Sequence, residues 1–299
     1  MTTNKILVIG SSNTDMTVKT AKLPVPGETV LGGEFTMGAG GKGANQAVAA
    51  KRLGGDVSFI CKVGKDVFGD NAIRQYESEG LDTSLIMRSE KPSGVALITV
   101  DENAENCIVV ASGANNDVSV EDIEGLAQTI RKASILLLQL ETPVSAVLEA
   151  ARIAHNSGVT VILNPAPACI LPDELYEYIS ILIPNRTEIS TLSGIEVNDE
   201  NSLHTAVLHL KSKGVRKVVV TLGAKGSVIY DSENITAVPA EKVDAVDTTA
   251  AGDTFCGGIC VGLSEDKTLE ESVRFATSAA ARTVQKMGAQ ASIPYRNEL

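Results

Sequence analysis

The sequence predicts an α/β protein of three layers: a mostly parallel sheet with helices on both faces, plus a small β-sheet lid. Three observations predict it. Short β-branched runs alternate with longer helical patterns along the 299 residues, as repeated strand–helix–strand units require. Apolar residues make up 43% of the chain and charged residues 21%, which suits a folded protein with one large core. No linker, low-complexity tract or repeat of about 20–50 residues divides it, so a single domain spanning 1–299 is expected.

The strands are expected at 6–9, 57–63, 135–139, 160–163, 181–183 and 217–221. The helices are expected at 44–53, 69–79, 120–132, 144–156, 200–213, 253–263 and 269–286. Two stretches break this rhythm. Residues 15–37 have no helical period and carry Pro24, Pro26 and Gly27. Residues 93–111 read as a hairpin, G-V-A-L-I-T-V and C-I-V-V-A joined by D-E-N-A-E-N. The two stretches together, about 15–37 and 93–111, make a small β layer suited to a lid or an oligomer contact.

Composition excludes several partner classes. The net charge is -11, without a Lys/Arg cluster, which disfavours nucleic acid and anionic membrane. Aromatics are 3% and Trp is absent, leaving few platforms for base stacking. The chain enters a strand at once, K-I-L-V-I-G, with no signal-peptide pattern. It has no run of about 18 apolar residues that would span a membrane. A cytoplasmic protein is expected. The five cysteines, Cys61, Cys107, Cys169, Cys256 and Cys260, include no C-x-x-C pair and read as buried thiols in a reducing compartment. Cys256 and Cys260 share a helix face, where packing is preferred to metal ligation.

Five motifs carry the chemistry. G-A-G-G-K-G-A-N-Q-A-V-A-A, from Gly38 to Ala50, contains G-x-G-x-x-G but lies well past the first strand, where a dinucleotide fingerprint does not belong. Lys42 is followed by Gly43 rather than Ser or Thr, so it is not a Walker A loop either. What remains is a glycine-rich helix start offering Lys42 and Asn45 to a polar ligand. Asn13, Thr14 and Asp15 follow the first strand, where an amide and a carboxylate suit a sugar diol; an Asx turn is the plain alternative. Asn185 and Glu188, in P-N-R-T-E, would share a helix face. They fit either a hydrated Mg²⁺ or an ordinary capping box. Val218 to Tyr230 reads as strand, glycine turn, strand, with Gly223 and Gly226 letting a nucleotide approach, or as a plain hairpin.

The fifth motif is D-T-T-A-A-G-D-T-F, Asp247 to Phe255. Ala250, Ala251 and Gly252 leave backbone N–H groups uncovered at a helix N-terminus, where the dipole favours anions. Asp253 stands beside them. A carboxylate next to an anion site makes sense if it takes a proton from a hydroxyl that attacks phosphorus. Competing chemistries lack their parts. His155, His204 and His209 have no nucleophile motif beside them, and G-x-S-x-G and zinc-ligand spacings are absent.

In this order N-x-D, G-G-K-G-A-N-Q-A-V-A-A, P-N-x-T-E, T-L-G-x-K-G and D-T-x-A-A-G-D-T-F resemble the ribokinase-like family of sugar kinases, from about Lys5 to Pro294. The resemblance implies transfer of the γ-phosphoryl group of ATP to the 5-hydroxyl of D-ribose. It places the catalytic base on Asp253 and the anion hole on the amides from Ala250 through Ala251 and Gly252 to Asp253. It puts the sugar contacts on Asn13, Asp15, Gly41, Lys42, Asn45 and Glu141, with Thr14 and Gly43 beside them. Glu141 comes from Q-L-E-T-P. The same resemblance assigns Mg²⁺ and phosphates to Asn185 and Glu188. The nucleotide falls to Thr221, Gly223, Ala224, Lys225, Gly226, Gly252 and Thr277. A monovalent cation (K⁺) falls to Asp247, Thr249, Thr283, Lys286, Gly288 and Ser292, mostly through carbonyls. It implies a homodimer through the β lid.

Thr277 stands where some family members have a histidine near adenine, and the chain stops soon after Pro294, where relatives carry a longer C-terminal helix. A kinase of the same fold for 2-deoxyribose, fructose or adenosine is the nearest alternative. An NAD(P)-dependent oxidoreductase and a catalytically silent sugar-binding protein are more remote ones.

Overall fold

Alternation along the first strand sets the architecture. The structure, a computed structural model, describes residues 5–103, 105–232 and 234–299. Ala104, in the expected hairpin turn, lies outside the described residues, as do residues 1–4 and Glu233. The strands are β1 (Lys5–Ile9), β2 (Asn13–Lys19), β3 (Phe35–Gly40), β4 (Asp56–Ile60), β5 (Lys62–Gly64), β6 (Met87–Ser89) and β7 (Gly94–Val100), followed by β8 (Asn106–Ala111), β9 (Ile135–Leu138), β10 (Thr160–Leu163), β11 (Ile181–Leu182), β12 (Lys217–Thr221), β13 (Ser227–Asp231) and β14 (Asn234–Val238). The helices are α1 (Lys42–Arg52), α2 (Val67–Ser78), α3 (Val120–Gly125), α4 (Ala127–Arg131) and α5 (Val144–His155), then α6 (Asp173–Tyr178), α7 (Arg186–Ser193), α8 (Glu200–Ser212), α9 (Ala251–Ser264) and α10 (Leu269–Thr283).

The main sheet has eight strands in the order β14-β13-β12-β11-β10-β9-β1-β4. Neighbours from β12 to β4 run parallel, while β12, β13 and β14 are antiparallel. Successive side chains of a strand point to opposite faces, so each central strand serves two cores. Ile6 and Val8 of β1 belong to the core that α1, α9 and α10 also line; Leu7 and Ile9 belong to the one that α5 and α8 line. Burying each such side chain contributes about 1.5–3 kcal/mol.

A second sheet of four strands, in the order β3-β2-β7-β8, stands beside the first. Its register puts Asn13, Asp15, Gly38, Gly40, Gly94, Ala96 and Val110 on one face. Thr14, Met16, Phe35, Met37, Leu97 and Val109 fall on the other.

Helix α9 is glycine-rich because its neighbours leave no room. A Cβ on Gly257 would come within 2.9 Å of the Ala49 Cβ and the Ala50 amide nitrogen, and one on Gly258 within 2.9 Å of the Ala276 Cα. The helix therefore lies pressed between α1 and α10, at a propensity cost of about 1 kcal/mol per glycine. That close approach brings the start of α9 against the polar face of α1.

Several expected boundaries moved. The strand expected at 57–63 divides at Cys61 into β4 and β5, and β5 leaves the main sheet to pair with β6. The helix expected at 120–132 divides at Leu126 into α3 and α4. Helix α2 begins earlier than expected because Asp66 caps it, accepting from the Gly69 amide at 2.8 Å. Helix α6 and strand β14 had no counterpart in the sequence reading. Cys61, Cys256 and Cys260 are buried, but Cys107 is exposed on β8 and Cys169 half-buried, which corrects the expectation of five buried thiols. Among the described residues no helix is long and apolar enough to cross a membrane.

Candidate active site

The site lies past the C-terminal ends of β1, β9, β10 and β11, where open parallel sheets gather ligands. Chain leaving β1 supplies Ser11 and Ser12 and continues into β2 with Asn13 and Asp15. Helix α1 starts directly against this turn. The space above its glycines is filled by the protein itself. A Cβ on Gly43 would lie 2.5 Å from the Ser11 amide nitrogen, and one on Gly40 2.2 Å from the Asp15 carboxylate. Gly41, at φ 88°, would put one 2.8 Å from the Asn13 nitrogen. These glycines let β1, β2 and α1 meet, a need the sequence reading had given to a ligand.

Glu141, after β9, accepts the Lys42 amide at 2.9 Å and the Ser11 hydroxyl. It complements the α1 dipole and the first orphan donors of that helix. On the other side of the turn, the Asn115 Oδ1 accepts the Ser12 amide at 2.8 Å, and its Nδ2 donates to the Asn13 Oδ1 at 2.6 Å. The Asn13 Nδ2 is thus the free end of that amide. Asp15 is pushed up to about 6 by burial first, then by Glu141 and Asp253, with Lys42 opposing. Thr14 departs from the group. It sits on the opposite face of the small sheet because β2 alternates, so its side chain cannot join those of Asn13 and Asp15 at a sugar.

Asp253 lies in the first turn of α9 and is 7% exposed. Its Oδ2 accepts from the Asn45 Nδ2 at 2.9 Å and its Oδ1 from the Gln46 Nε2 at 3.0 Å. Burial raises its carboxyl above the ordinary range, while the Lys42 ammonium and those two amides oppose the rise. Lys42 loses by burial but gains more from Asp253, Glu141 and Glu188, so its ammonium is held above its ordinary value. The Asn45 Oδ1 is buried without a partner. Gln46 also donates to the Asn164 Oδ1 at 3.0 Å and accepts from the Gln139 Nε2 at 2.6 Å. Gln46, Gln139, Asn164 and Asn115 were missed by the sequence reading. A glutamine set among alanines in A-N-Q-A-V-A-A was the signal available for Gln46, which the structure buries wholly.

Ala250 caps α9 in the left-handed region, at φ 60°, a conformation costly for a residue with a Cβ. The Ala251 amide donates to the Thr248 carbonyl at 3.3 Å and the Thr254 amide to Ala250 at 2.8 Å. Among the described residues the Gly252 and Asp253 amides have no backbone acceptor.

One cavity lies beside Asn13 and Glu141, and a second lies against this helix start. The first, polar and of about 210 Å³, is lined by Asn13, Val110, Ser112, Asn115, Asn116, Leu140, Glu141, Thr142 and Pro167. The second, larger at about 480 Å³, is lined by Thr221, Gly223, Ala224, Gly226, Thr248, Ala251, Gly252 and Thr277, with Val243, Ala245, Phe255, Ala280, Ala281 and Val284 as apolar walls. Lys225 is not part of its lining. A Cβ on Gly226 would meet the Val238 carbonyl at 2.1 Å, so this glycine lets the turn from β12 into β13 pass close to the end of β14.

Asn185 and Glu188 form a capping box on α7. The Asn185 Oδ1 accepts the Glu188 amide at 2.8 Å, and the Glu188 Oε2 accepts the Asn185 amide at 2.8 Å. Burial raises the Glu188 carboxyl above its ordinary range, against the Asn185 amide and Lys42. Asp247 ties its own loop to the chain after α10: its Oδ1 accepts from the Thr249 amide and its Oδ2 from the Gly288 amide, both at 2.9 Å. Burial works against that charge and the hydrogen bonds outweigh it, holding the carboxyl below its ordinary range. Thr283 is buried and bonded to Thr254; Lys286 pairs outward with Glu298 at 2.7 Å; Ser292 bonds to the Ala289 carbonyl at 2.7 Å. Among the described residues no three His, Cys, Asp or Glu side chains cluster as a metal site.

The profile of the pfkB family carbohydrate kinases matches residues 3–296. The chain belongs to that family. This pfkB carbohydrate kinase is 45% identical to the ribokinase of Haemophilus influenzae, over 98% of this chain and 96% of the relative. It is 38% identical to the deoxyribokinase of Salmonella typhimurium, over 97% and 95%. Its fold matches the structure of Arabidopsis thaliana ribokinase complexed with ribose and ATP. There the TM-score is 0.90 and the identity 34%, over 99% of this chain and 97% of that one. The misplaced G-x-G-x-x-G is a kinase's glycine turn, and the oxidoreductase alternative falls with the family assignment.

Proposed function

We propose that the chain is a cytoplasmic kinase that transfers the γ-phosphoryl group of ATP to the 5-hydroxyl of D-ribose, giving D-ribose 5-phosphate and ADP. The observation that carries this reading is a buried carboxylate, Asp253, at a helix start whose Gly252 lines the larger cavity. Its Asn45 partner sits one helical turn from the Lys42–Glu141 clasp that reaches the polar cavity. Ribose fits the polar cavity and ATP the larger one.

Asp253 takes the 5-hydroxyl proton as that oxygen bonds to the γ-phosphorus and the bond to the ADP oxygen breaks. The free amides of Gly252 and Asp253 face the developing phosphoryl charge. Asn13, Asp15, Lys42, Asn45 and Glu141 hold the sugar, while Gly41 and Gly43 serve the close packing of β1, β2 and α1. The unpartnered Asn45 Oδ1 is an acceptor left for a sugar hydroxyl.

Asn185 and Glu188 offer one carboxylate and one amide already bonded to each other. That set is too small to chelate a bare ion but fits Mg²⁺ that keeps its waters. When bound, Mg²⁺ neutralises charge on the nucleotide phosphates. Asp247 and Thr249 offer side-chain oxygens there, and the Lys286 ammonium pairs with Glu298. That oxygen-rich loop fits K⁺, which would steady the turn leading to Ala250.

The small sheet acts as a lid through Asn13 and Asp15. Its outer face exposes Phe35, Met37, Leu97 and Val109, each more than half exposed, an apolar patch suited to a homodimer. A second reading, a 2-deoxyribose kinase, is favoured by the deoxyribokinase relative.

Coupled ADP release against ribose, 2-deoxyribose, fructose and adenosine, with and without K⁺ and Mg²⁺, tests these readings. Ribose is expected to turn over best. Preference for 2-deoxyribose moves the assignment to the second reading, and no turnover with any of them removes the kinase reading.

A further inference from the structure

We propose that Gln46 is a positioning residue for Asp253, with its amide sense dictated from the Ile183 main-chain carbonyl through Asn164. This rests on the reading of Asp253 as the base. A backbone carbonyl only accepts, so Asn164 must turn its NH₂ toward Ile183, 2.9 Å away. Its Oδ1 then faces Gln46, which must answer with an NH₂. Both hydrogens of that NH₂ are spent, one on Asn164 and one on Asp253. The Gln46 Oε1 is left facing away, and the Gln139 Nε2 closes on it at 2.6 Å.

The chain of donors has no freedom to reverse. Gln46 is wholly buried and Gln139 1% exposed, so water cannot take over either role. The Gln139 Oε1 ends the chain as a buried acceptor without a partner. It is held where a Cβ on Gly10 would stand 2.0 Å from it. An unsatisfied buried acceptor is costly, and here it marks the end from which the donors run through Gln46 to Asp253.

The consequence is that Asp253 meets a donor on each oxygen, Gln46 on one and Asn45 on the other. It is fixed in one rotamer as an acceptor, with its remaining lone pairs free for a hydroxyl proton. The other groups facing it are Lys42 from α1, Asp15 from β2, Glu141 after β9, Glu188 from α7 and Cys256 from α9. Three of these are carboxyls, so the amide donors and Lys42 are what favour its ionised form.

The test is the pH profile of kcat/KM for ribose in Gln46→Glu and Gln139→Glu, with melting temperature and ATP binding measured alongside. Gln46→Glu replaces the donor with a carboxylate against Asp253. The acid limb is expected to move up by about one unit or more, since a like charge beside a carboxyl raises its pKa. Gln139→Glu acts from the far side: it removes the donor that holds the Gln46 Oε1 and favours the reversed amide. A rise of the same sign is expected there, without any change at residues touching Asp253. If Gln46→Glu does not fold, the Gln139→Glu profile decides. An unmoved acid limb in a folded variant overturns the proposal, as does a loss confined to melting temperature. Asp253→Asn separates the two claims. If it keeps wild-type turnover, the base reading fails; if it is inactive while the acid limb of Gln46→Glu stays put, only the positioning role fails.

Discussion

The Glu141 carboxylate accepts the backbone N–H of Lys42 at 2.9 Å, tying the end of β9 to the first turn of α1. Glu141→Gln removes the charge that faces this helix start and the Ser11 hydroxyl. The expected outcome is an increase of roughly tenfold or more in the KM for ribose, the size of losing one charge-assisted hydrogen bond. A small fall in melting temperature should accompany it. Initial-rate kinetics and a thermal melt check both.

Asp253→Asn keeps the shape of the side chain but removes the proton acceptor. A kcat loss on the order of 10²–10⁴-fold is expected, with ATP affinity nearly unchanged by calorimetry. Near-wild-type kcat would rule out Asp253 as base.

Asp15 titrates near pH 6 in the folded protein, above the usual 3.8. Between those values the folded state holds more protons than the unfolded one, so stability falls as pH rises through that window. Asp15→Asn should therefore raise the melting temperature at pH 7 and change it little at pH 3.5. The same substitution should weaken ribose binding at pH 7. Melts at the two pH values and a ribose titration test the pair of effects.

Asp247→Asn loses the charge that clasps Thr249 and Gly288. K⁺ activation should fall sharply, while the rate measured without K⁺ changes much less. Equal losses in both conditions would reassign Asp247 to folding alone.

The glycines of the G-A-G-G-K-G run are not equivalent. Gly38→Ala meets nothing within 4 Å, whereas Gly43→Ala drives a Cβ into the Ser11 backbone. Gly43→Ala should destabilise by about 1–3 kcal/mol, as overpacking does; Gly38→Ala should be close to neutral. Denaturant unfolding of both measures the contrast.

The layered α/β plan was legible because strand and helix periods alternate plainly, and the small sheet because its stretches lack a helical period. The split of 57–63 was not legible, since both halves are equally strand-prone and only the pairing of β5 with β6 separates them. Asp253 was legible as an acid beside bare backbone, Asn45 as an amide on a glycine-rich helix start, and Glu188 as the capping-box partner of Asn185. Gln46, Gln139 and Asn164 were not, because their meaning lies in partners far along the chain. Gln46 meets Gln139 across 93 positions and Asp253 across 207. Thr14 was misplaced for the opposite reason: it is next to Asn13 in sequence, and strand alternation separates the two.

The Ile183 carbonyl belongs to the main chain, and no substitution deletes it. The polarity it imposes on Asn164, Gln46 and Gln139 can be inherited only as a set. A lineage that exchanges one of these amides for an acid must exchange a neighbour as well, or lose the charge state of its carboxylate. Substitutions at positions 46, 139 and 164 are therefore expected to appear in compensating pairs wherever this architecture keeps its chemistry.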